Sequence, residues 1–197
     1  MLLPGVLVLD TNFVSGLRNT RHLDLLGKLR DLILRAGLKL YVPLGVYAEV
    51  KDTDEHLTPL LSSFSKAVRV SRDEFFERVR RFAVRNRYVS VDEYVDVEVM
   101  VLAAKLKAEG GVGIVTFDEE IVKTVRNFSE LRGVEVVYPW KFLLCLVPFA
   151  DSSIKGELEG AIVDVYNYFY QHRVSGEREV IDLVQDLVED SIMAMEL

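Results

Sequence analysis

The chain has 197 residues, which is enough for one ordinary domain or for one domain with an appendage. Half of its residues are hydrophobic, so a core can form and disorder is excluded as the main state. The net charge of −7 argues on its own against a nucleic-acid-binding protein, because a phosphate backbone attracts basic surfaces. The acid excess is uneven, however: residues 151–197 contain 3 basic and 11 acidic residues, whereas residues 1–150 contain 21 basic and 20 acidic ones.

The cysteine content and the hydropathy indicate a cellular compartment. Cys145 is the only cysteine, so the sequence predicts no intrachain disulfide and no cysteine-based zinc site. Each uninterrupted apolar stretch is much shorter than the ~18–20 residues of a membrane-spanning helix, and the first residues lack the pattern of a signal peptide. We therefore expect a cytoplasmic protein without a membrane partner.

Apolar periodicity, helix caps and turn residues predict strands and helices that alternate along the chain. Strands are predicted at residues 5–9, 40–42, 67–70, 112–117 and 134–138. Helices are predicted at residues 20–35, 46–51, 55–65, 71–87, 90–109, 118–128 and 140–146. Directly after Asp10 we expect no helix, because Gly16 and Asn19 interrupt the pattern. The alternation favours an α/β fold with a mostly parallel sheet.

The pattern changes beyond Pro148. Residues 156–172 and 177–196 both show a helical spacing of apolar side chains, and a Ser-Gly turn separates them, which predicts an appended helical hairpin. We therefore divide the chain into an α/β domain over residues 1–150 and an acidic hairpin over residues 151–197. The apolar stripes of the hairpin need burial against that domain or against a second subunit, and we expect a homodimer. The stripe residues are Ile162, Tyr166 and Phe169 in the first helix, and Val184 and Leu187 in the second.

Two predicted strands end in a carboxylate with a hydroxyl residue close by. Asp10 and Thr11 follow the first strand, and Thr116 and Asp118 stand at the end of the 112–117 strand. Ligands of open parallel sheets bind beyond these carboxyl ends, and right-handed connections bring the ends to one edge. Asp118 stands where a helix N-cap is needed, so capping alone explains it. Asp10 follows four buried apolar residues and needs a positive partner such as a metal cation.

Helices supply further acids. Glu49 lies in the helix after the second strand, where a solvated helix acid is the alternative interpretation. Asp96 and Glu98 lie in a nearly all-apolar helix, so they need partners or water, and because they are two residues apart they do not share a helix face. Asp92 and Glu93 precede this helix and are interpreted as capping residues. A cluster of Asp and Glu without His or Cys favours a hard cation, Mg²⁺ or Mn²⁺, over zinc.

Taken in order, these residues resemble the motifs of the PIN-domain ribonuclease family, which includes VapC-like toxins and small protein-only ribonuclease P relatives. The motifs are Val8-Leu-Asp-Thr-Asn12, Glu49, an acid in the first turns of the helix that ends in Leu102-Ala-Ala-Lys-Leu, and Val115-Thr-Phe-Asp118. The resemblance covers residues 5–147 and implies a three-layer α/β/α fold. It also implies Mg²⁺- or Mn²⁺-dependent hydrolysis of RNA phosphodiester bonds, with a protein antitoxin or regulator as a further partner.

The resemblance also implies roles for single residues. The catalytic residues it implies are Asp10, Glu49, Asp96 and Asp118. The implied metal ligands are Asp10, Asp118 and one acid of the pair Asp96 and Glu98. Of this pair we choose Asp96 first and Glu98 second. The accessory residues are Thr11, Asn12, Thr116 and Glu120.

A basic segment leads into the helix that carries the paired acids. Residues 66–87 contain 8 basic and 3 acidic residues, and Arg78, Arg81 and Arg85 share one helix face by their spacing. Together with Arg87 they predict an RNA-binding surface, and a solvated helix held by ion pairs is the alternative interpretation.

We therefore expect a metal-dependent endoribonuclease. The choice between Asp96 and Glu98 and the acidic C-terminal segment leave one alternative open, a catalytically weak or inactive PIN-like module that binds RNA or a protein partner. Phosphatase chemistry is disfavoured, because aspartyl-phosphate hydrolases need a second Asp two residues after the nucleophile, where this chain has Asn12.

Overall fold

A computed structural model describes residues 3–171 of the chain. Within these residues the chain forms five β-strands and nine α-helices. The strands are β1 (Val6–Leu9), β2 (Lys39–Pro43), β3 (Lys66–Val68), β4 (Val112–Val115) and β5 (Val134–Val137). The helices are α1 (Thr11–Asn19), α2 (Asp24–Arg35), α3 (Leu44–Thr53), α4 (Leu57–Phe64), α5 (Glu74–Arg85), α6 (Val95–Leu106), α7 (Glu119–Asn127), α8 (Pro139–Leu144) and α9 (Ser152–Gln171). The predicted hairpin helix at 177–196 lies outside the described residues.

The five strands form one sheet, and every pair in it is parallel. The strand order is β3-β2-β1-β4-β5, so β1 is central and pairs with β2 on one side and with β4 on the other. Every residue of β1 and β4 is buried, which is why both read in the sequence as unbroken apolar runs. The chain builds outward from β1 in opposite directions, so the order reverses between β1 and β4. This confirms the predicted α/β class and the parallel sheet.

Helices cover the sheet on both sides. On one side α5, α6 and α7 contact one another, and α6 packs against β1, β2 and β4. Right-handed connections between parallel strands place the helices that follow β1 and β2 on the opposite side. There α1 and α2 contact α9, and α8 packs between α1 and α9. The arrangement is consistent with three layers, α/β/α.

The last described helix, α9, is fixed to α1 and α2 by apolar and polar contacts. Its predicted stripe of Ile162, Tyr166 and Phe169 is buried within the chain. Asn19 Nδ2 donates a hydrogen bond of 2.6 Å to the Tyr168 hydroxyl. Because this stripe is already covered, it does not require a second subunit. The homodimer and the domain boundary at residue 150 stay predictions.

The prediction that no helix follows Asp10 is wrong, because α1 begins at the next residue and Asp10 is its N-cap. The glycine that argued against this helix has a packing reason. A Cβ at Gly16 would lie 2.8 Å from a ring carbon of Phe169, so a side chain there would collide with α9. Tertiary packing of α1, with Phe13 and Leu17 fully buried, outweighs the weak helix propensity of its sequence.

Three other helices begin three or more residues later than predicted. Helix α2 begins at residue 24 instead of 20, α5 at residue 74 instead of 71, and α6 at residue 95 instead of 90. Before α6, Ser90 and Glu93 form a local turn in which the backbone N–H and the hydroxyl of Ser90 both donate to Glu93 Oε2. None of the helices within residues 3–171 combines the length and the apolar character that crossing a bilayer requires.

Candidate metal centre

Asp10 is the buried acid at the end of the central strand, with only 2 % of its surface exposed. Its Oδ1 accepts a hydrogen bond of 2.7 Å from the backbone N–H of Thr11, and its Oδ2 accepts two more, from Asn12 Nδ2 and Thr116 Oγ1, each at 2.7 Å. These donors fix the orientation of the carboxylate. Burial raises the pKa of Asp10 to about 6, although the hydrogen bonds from Thr116 and Asn12 act in the opposite direction.

Thr116 connects the ends of the two central strands. Its hydroxyl is fully buried, donates to Asp10 Oδ2 and accepts the backbone N–H of Asp118 at 2.9 Å. A hydroxyl can donate once and accept twice, so one side chain holds both acids in place. This explains why a hydroxyl residue follows β4, at the point where the strand order of the sheet reverses.

Asp118 caps α7, as the sequence predicts. Its Oδ1 accepts the backbone N–H groups of Glu120 at 2.6 Å and Ile121 at 3.2 Å. The cap fixes the carboxylate at the carboxyl end of β4, next to Asp10, whose pKa the negative charge of Asp118 raises. The capping interpretation and the site interpretation of Asp118 therefore do not exclude each other.

Glu49 lies on α3, and its side chain extends to the first turn of α1, next to Asp10. The hydroxyl of Thr11 donates to Glu49 Oε2 at 2.5 Å, which fixes this exposed glutamate against the first turn of α1. The side chains of Thr11 and Asn12, both predicted as accessory residues, thus donate hydrogen bonds to two different acids, Glu49 and Asp10.

Asp96 lies in the first turn of α6, and its electrostatic surroundings are the most unfavourable of the group. Its pKa is raised to about 8, first by burial and then by the negative charges of Asp10, Asp118, Glu93 and Glu49 in that order. The four predicted catalytic acids are therefore close enough to repel one another. One carboxylate oxygen each from Glu93, Asp96 and Glu120 also lie within 4.8 Å of one another.

We call these six acids the carboxylate centre. Its members are Asp10, Glu49, Glu93, Asp96, Asp118 and Glu120. The centre lies beyond the carboxyl ends of β1 and β4, where the strand order reverses. This is the position at which open α/β sheets bind ligands.

Glu93 is the member that the sequence interpretation missed, because the Ser90–Glu93 spacing suggested a helix cap. The structure keeps that contact, with Glu93 Oε2 on the Ser90 backbone and hydroxyl, and also brings the side chain to Asp96. The spacing of three residues between Glu93 and Asp96 was the available signal, since the helix predicted over residues 90–109 would place residues three apart on one face.

The second choice for the third metal ligand, Glu98, has other contacts. Its Oε2 accepts the backbone N–H of Gly45 at 3.1 Å, and its Oε1 lies 3.6 Å from a guanidinium nitrogen of Arg72. Glu98 is buried against the start of α3, and its carboxylate is occupied there.

The predicted RNA-binding arginines differ in their surroundings. Arg78 donates two hydrogen bonds to the Glu130 carboxylate, at 3.1 and 2.9 Å, and also pairs with Glu74. Arg81 is exposed, and its Nε donates to a backbone carbonyl of its own helix. Arg85 and Arg87 are exposed.

Nearer the carboxylate centre, two other arginines contact the residue before α6. The guanidinium groups of Arg72 and Arg80 lie 4.4 and 4.7 Å from the ring centre of Tyr94. They place positive charge beside the first turn of the helix that carries Asp96.

The donor set of the carboxylate centre fits a hard divalent cation. All its side-chain ligands are carboxylate oxygens, which Mg²⁺ and Mn²⁺ prefer. Within residues 3–171, no Lys, Arg or His forms an ion pair with Asp10, Glu49, Asp96 or Asp118. A bound cation would therefore relieve a repulsion among these four acids that no ion pair within this part of the chain relieves.

Comparison with known proteins adds no family assignment. The chain matches no model of a known protein family and no curated protein.

Proposed function

We propose that the protein is a Mg²⁺- or Mn²⁺-dependent endoribonuclease with a PIN-like fold, which hydrolyses RNA phosphodiester bonds at the carboxylate centre. One observation carries the proposal. Asp10, Glu49, Asp96 and Asp118 come from four separate segments of the chain and converge where the strand order reverses. Burial, together with the negative charges of the neighbouring acids, raises the pKa of Asp96 to about 8. Acids concentrated in a cleft with strongly shifted pKa values are typical of functional sites.

The order of the motifs supports the PIN-like assignment. The four acids that the resemblance selects along the sequence all belong to the group whose charges interact in the fold. Two of these acids stand at strand ends and the other two lie in helices, and all four converge on one point of the fold. An RNA partner and a cytoplasmic location belong to this proposal, and an antitoxin or regulator stays a prediction.

The residues divide into those that would hold the cation and those that orient them. Asp10, Asp96 and Asp118 would hold it, with Glu49, Glu93 and Glu120 around them. A bound divalent cation makes hydroxide available from water near neutral pH and stabilises the leaving oxygen of a phosphodiester. The hydroxyl of Thr116 holds the Asp10 carboxylate in position.

The test combines cation binding with cleavage. Isothermal titration should show Mn²⁺ binding by the wild type and its loss in Asp96→Asn and Asp118→Asn. Cleavage of a fluorescently labelled hairpin RNA should fall by at least about 100-fold in both variants, because a bound metal contributes several kcal/mol to the transition state. Asp31→Asn is the matched control, since Asp31 is an exposed acid on α2, outside the carboxylate centre.

Two outcomes would contradict the proposal. The first is cleavage by Asp96→Asn at the wild-type rate. The second is a wild type that binds RNA but neither binds Mn²⁺ nor cleaves, which would favour the inactive RNA-binding module instead.

A further inference from the structure

A pocket of about 430 Å³ lies beside the carboxylate centre, and aromatic rings form much of its lining. The lining aromatic residues are Phe117, Tyr138, Trp140 and Tyr170. The rings of Tyr138 and Trp140 stack nearly parallel, with their centres 4.7 Å apart, and the ring centre of Phe117 lies 5.3 Å from that of Trp140. The volume is within the range of about 300–1,000 Å³ that is typical of small-ligand pockets.

The pocket adjoins the proposed reaction site through the backbone. Phe117 stands between Thr116 and Asp118, so one wall of the pocket is continuous with the loop that holds two site residues. The opposite wall begins at Tyr138, directly after β5. Both walls therefore lie at the carboxyl edge of the sheet, on the β5 side of the carboxylate centre.

Charged side chains of α7 line the pocket. Glu119 and Lys123 stand in its first turns and pair with each other at 2.9 Å. Arg126 lies in the last turn, three residues after Lys123 on one face of the helix. Arg126 is exposed, and within residues 3–171 it forms no ion pair. Lys141 lies over the Tyr138 ring at 5.7 Å from its centre. Aromatic rings next to cations are the combination that single-stranded nucleic acid requires, because bases stack on rings and phosphates pair with cations.

We propose that this pocket binds an unpaired nucleobase of the RNA strand next to the phosphodiester at the carboxylate centre. The inference rests on the proposed function, because the RNA gives the pocket its ligand. It restricts the substrate class to single-stranded or looped RNA. A base inside a duplex is stacked between its neighbours and its ring faces are not available, whereas an unpaired base can leave the strand and stack on protein side chains.

The chain contains a single tryptophan, and it lines this pocket, so its fluorescence reports occupancy directly. The full-length wild type is titrated in EDTA with a single-stranded oligoribonucleotide of about eight nucleotides, within the range one single-strand binding fold covers. We expect saturable quenching of Trp140. The same strand annealed to its complement should bind at least about tenfold more weakly by this signal, and a mononucleotide should also bind far more weakly.

Variants separate stacking from general binding. Tyr138→Leu should weaken oligonucleotide affinity about tenfold or more, since one base–aromatic stack corresponds to roughly that factor, while Tyr138→Phe should retain the affinity. Tyr41→Leu is the matched control, because Tyr41 is also partly buried but lies in β2 outside this pocket. Arg126→Gln should reduce the slope of log affinity against log salt by about 0.7, the value for one phosphate contact to a single strand.

Equal quenching by single-stranded and duplex RNA would overturn the proposal, and so would equal affinity for the mononucleotide and the oligonucleotide. Both comparisons use the wild type, so they decide the question even if Tyr138→Leu does not fold. A protein that shows the expected quenching but no Mn²⁺-dependent cleavage would contradict the proposed function and support the pocket. Mn²⁺-dependent cleavage without quenching would contradict the pocket alone.

Discussion

Replacing Asp96 by Asn should stabilise the metal-free protein at neutral pH, although it removes a residue from the proposed site. In the fold, the ionised carboxylate of Asp96 is partly buried among other acids, and this raises its pKa from 3.8 to about 8. In the unfolded chain the same group ionises freely. Asn resembles the protonated acid in shape and carries no charge, so the variant lacks the repulsion.

The sign and size follow from proton linkage. Between pH values of about 4 and 8 the folded protein binds more protons than the unfolded chain, so the free energy of unfolding falls as the pH rises through this range. At about 1.4 kcal/mol per pKa unit, the loss reaches about 4 kcal/mol at pH 7. Asp96 is only partly buried, and water screens part of the repulsion, so we expect Asp96→Asn to gain about 2 kcal/mol at pH 7.

Urea unfolding followed by circular dichroism, in EDTA, measures this difference. The free energies of wild type and Asp96→Asn should converge near pH 4 and separate steadily up to about pH 8. Asp10, whose pKa is raised to about 6, lowers stability in both proteins over the lower part of the range and largely cancels in the comparison. Asp31→Asn, an exposed control, should show no such divergence.

Adding Mn²⁺ should reverse the order of stability. A cation at a hundred times its dissociation constant stabilises the folded state by about 2.7 kcal/mol, and we expect this gain in the wild type only. The reasoning would be refuted if Asp96→Asn were less stable than the wild type in EDTA at pH 8, because the buried negative charge would then not be the dominant effect.

Three further substitutions test separate contacts by urea unfolding or titration. Thr116→Val should destabilise the protein by about 1–3 kcal/mol, because Asp10 loses a donor in the core, and Thr116→Ser should retain most of the stability. Gly16→Ala should destabilise by about 1–3 kcal/mol through collision with the Phe169 ring. Glu98→Gln should leave Mn²⁺ affinity unchanged, since isothermal titration reports the carboxylate centre and Glu98 is bound to the start of α3.

Each of these substitutions has a contradicting result. A Thr116→Val protein as stable as the wild type would mean that the hydroxyl does not hold the two strand ends. A neutral Gly16→Ala would show that α9 does not pack closely on α1. Loss of Mn²⁺ binding in Glu98→Gln would make Glu98, not Asp96, the third ligand.

The sheet and five of the six acids, all except Glu93, could be predicted because their signals are local. Unbroken apolar runs in β1 and β4 require burial on both faces, and the polar residue that ends each run then stands at a strand end. Asp10 and Asp118 follow from that reasoning alone. Local sequence patterns do not give the order of the strands in the sheet. The alternation of strands and helices nevertheless strongly limits the number of possible orders.

The remaining features depend on contacts between distant residues. Nothing near Arg78 in the sequence indicates that it pairs with Glu130, which is 52 positions away. The Ser71–Glu74 spacing predicted a cap, but Asp73 caps α5 instead, held by Lys105 at 2.5 Å. Glu93 was likewise interpreted as a capping residue because it follows Ser90 by three positions. Local capping patterns therefore gave the correct helices with boundaries displaced by several residues.

The pairing of β1 with β4 has a consequence for synthesis of the chain. Strands β1, β2 and β3 can assemble once residue 68 has emerged, but one edge of β1 stays unpaired until β4 follows about 50 residues later, roughly 2 to 10 s at ordinary translation rates. During that interval a fully apolar strand edge on a nascent chain can pair with another molecule. Asp10 and Asp118, which follow β1 and β4, meet only when this edge closes, so the repulsion between them enters late, after most of the fold is formed.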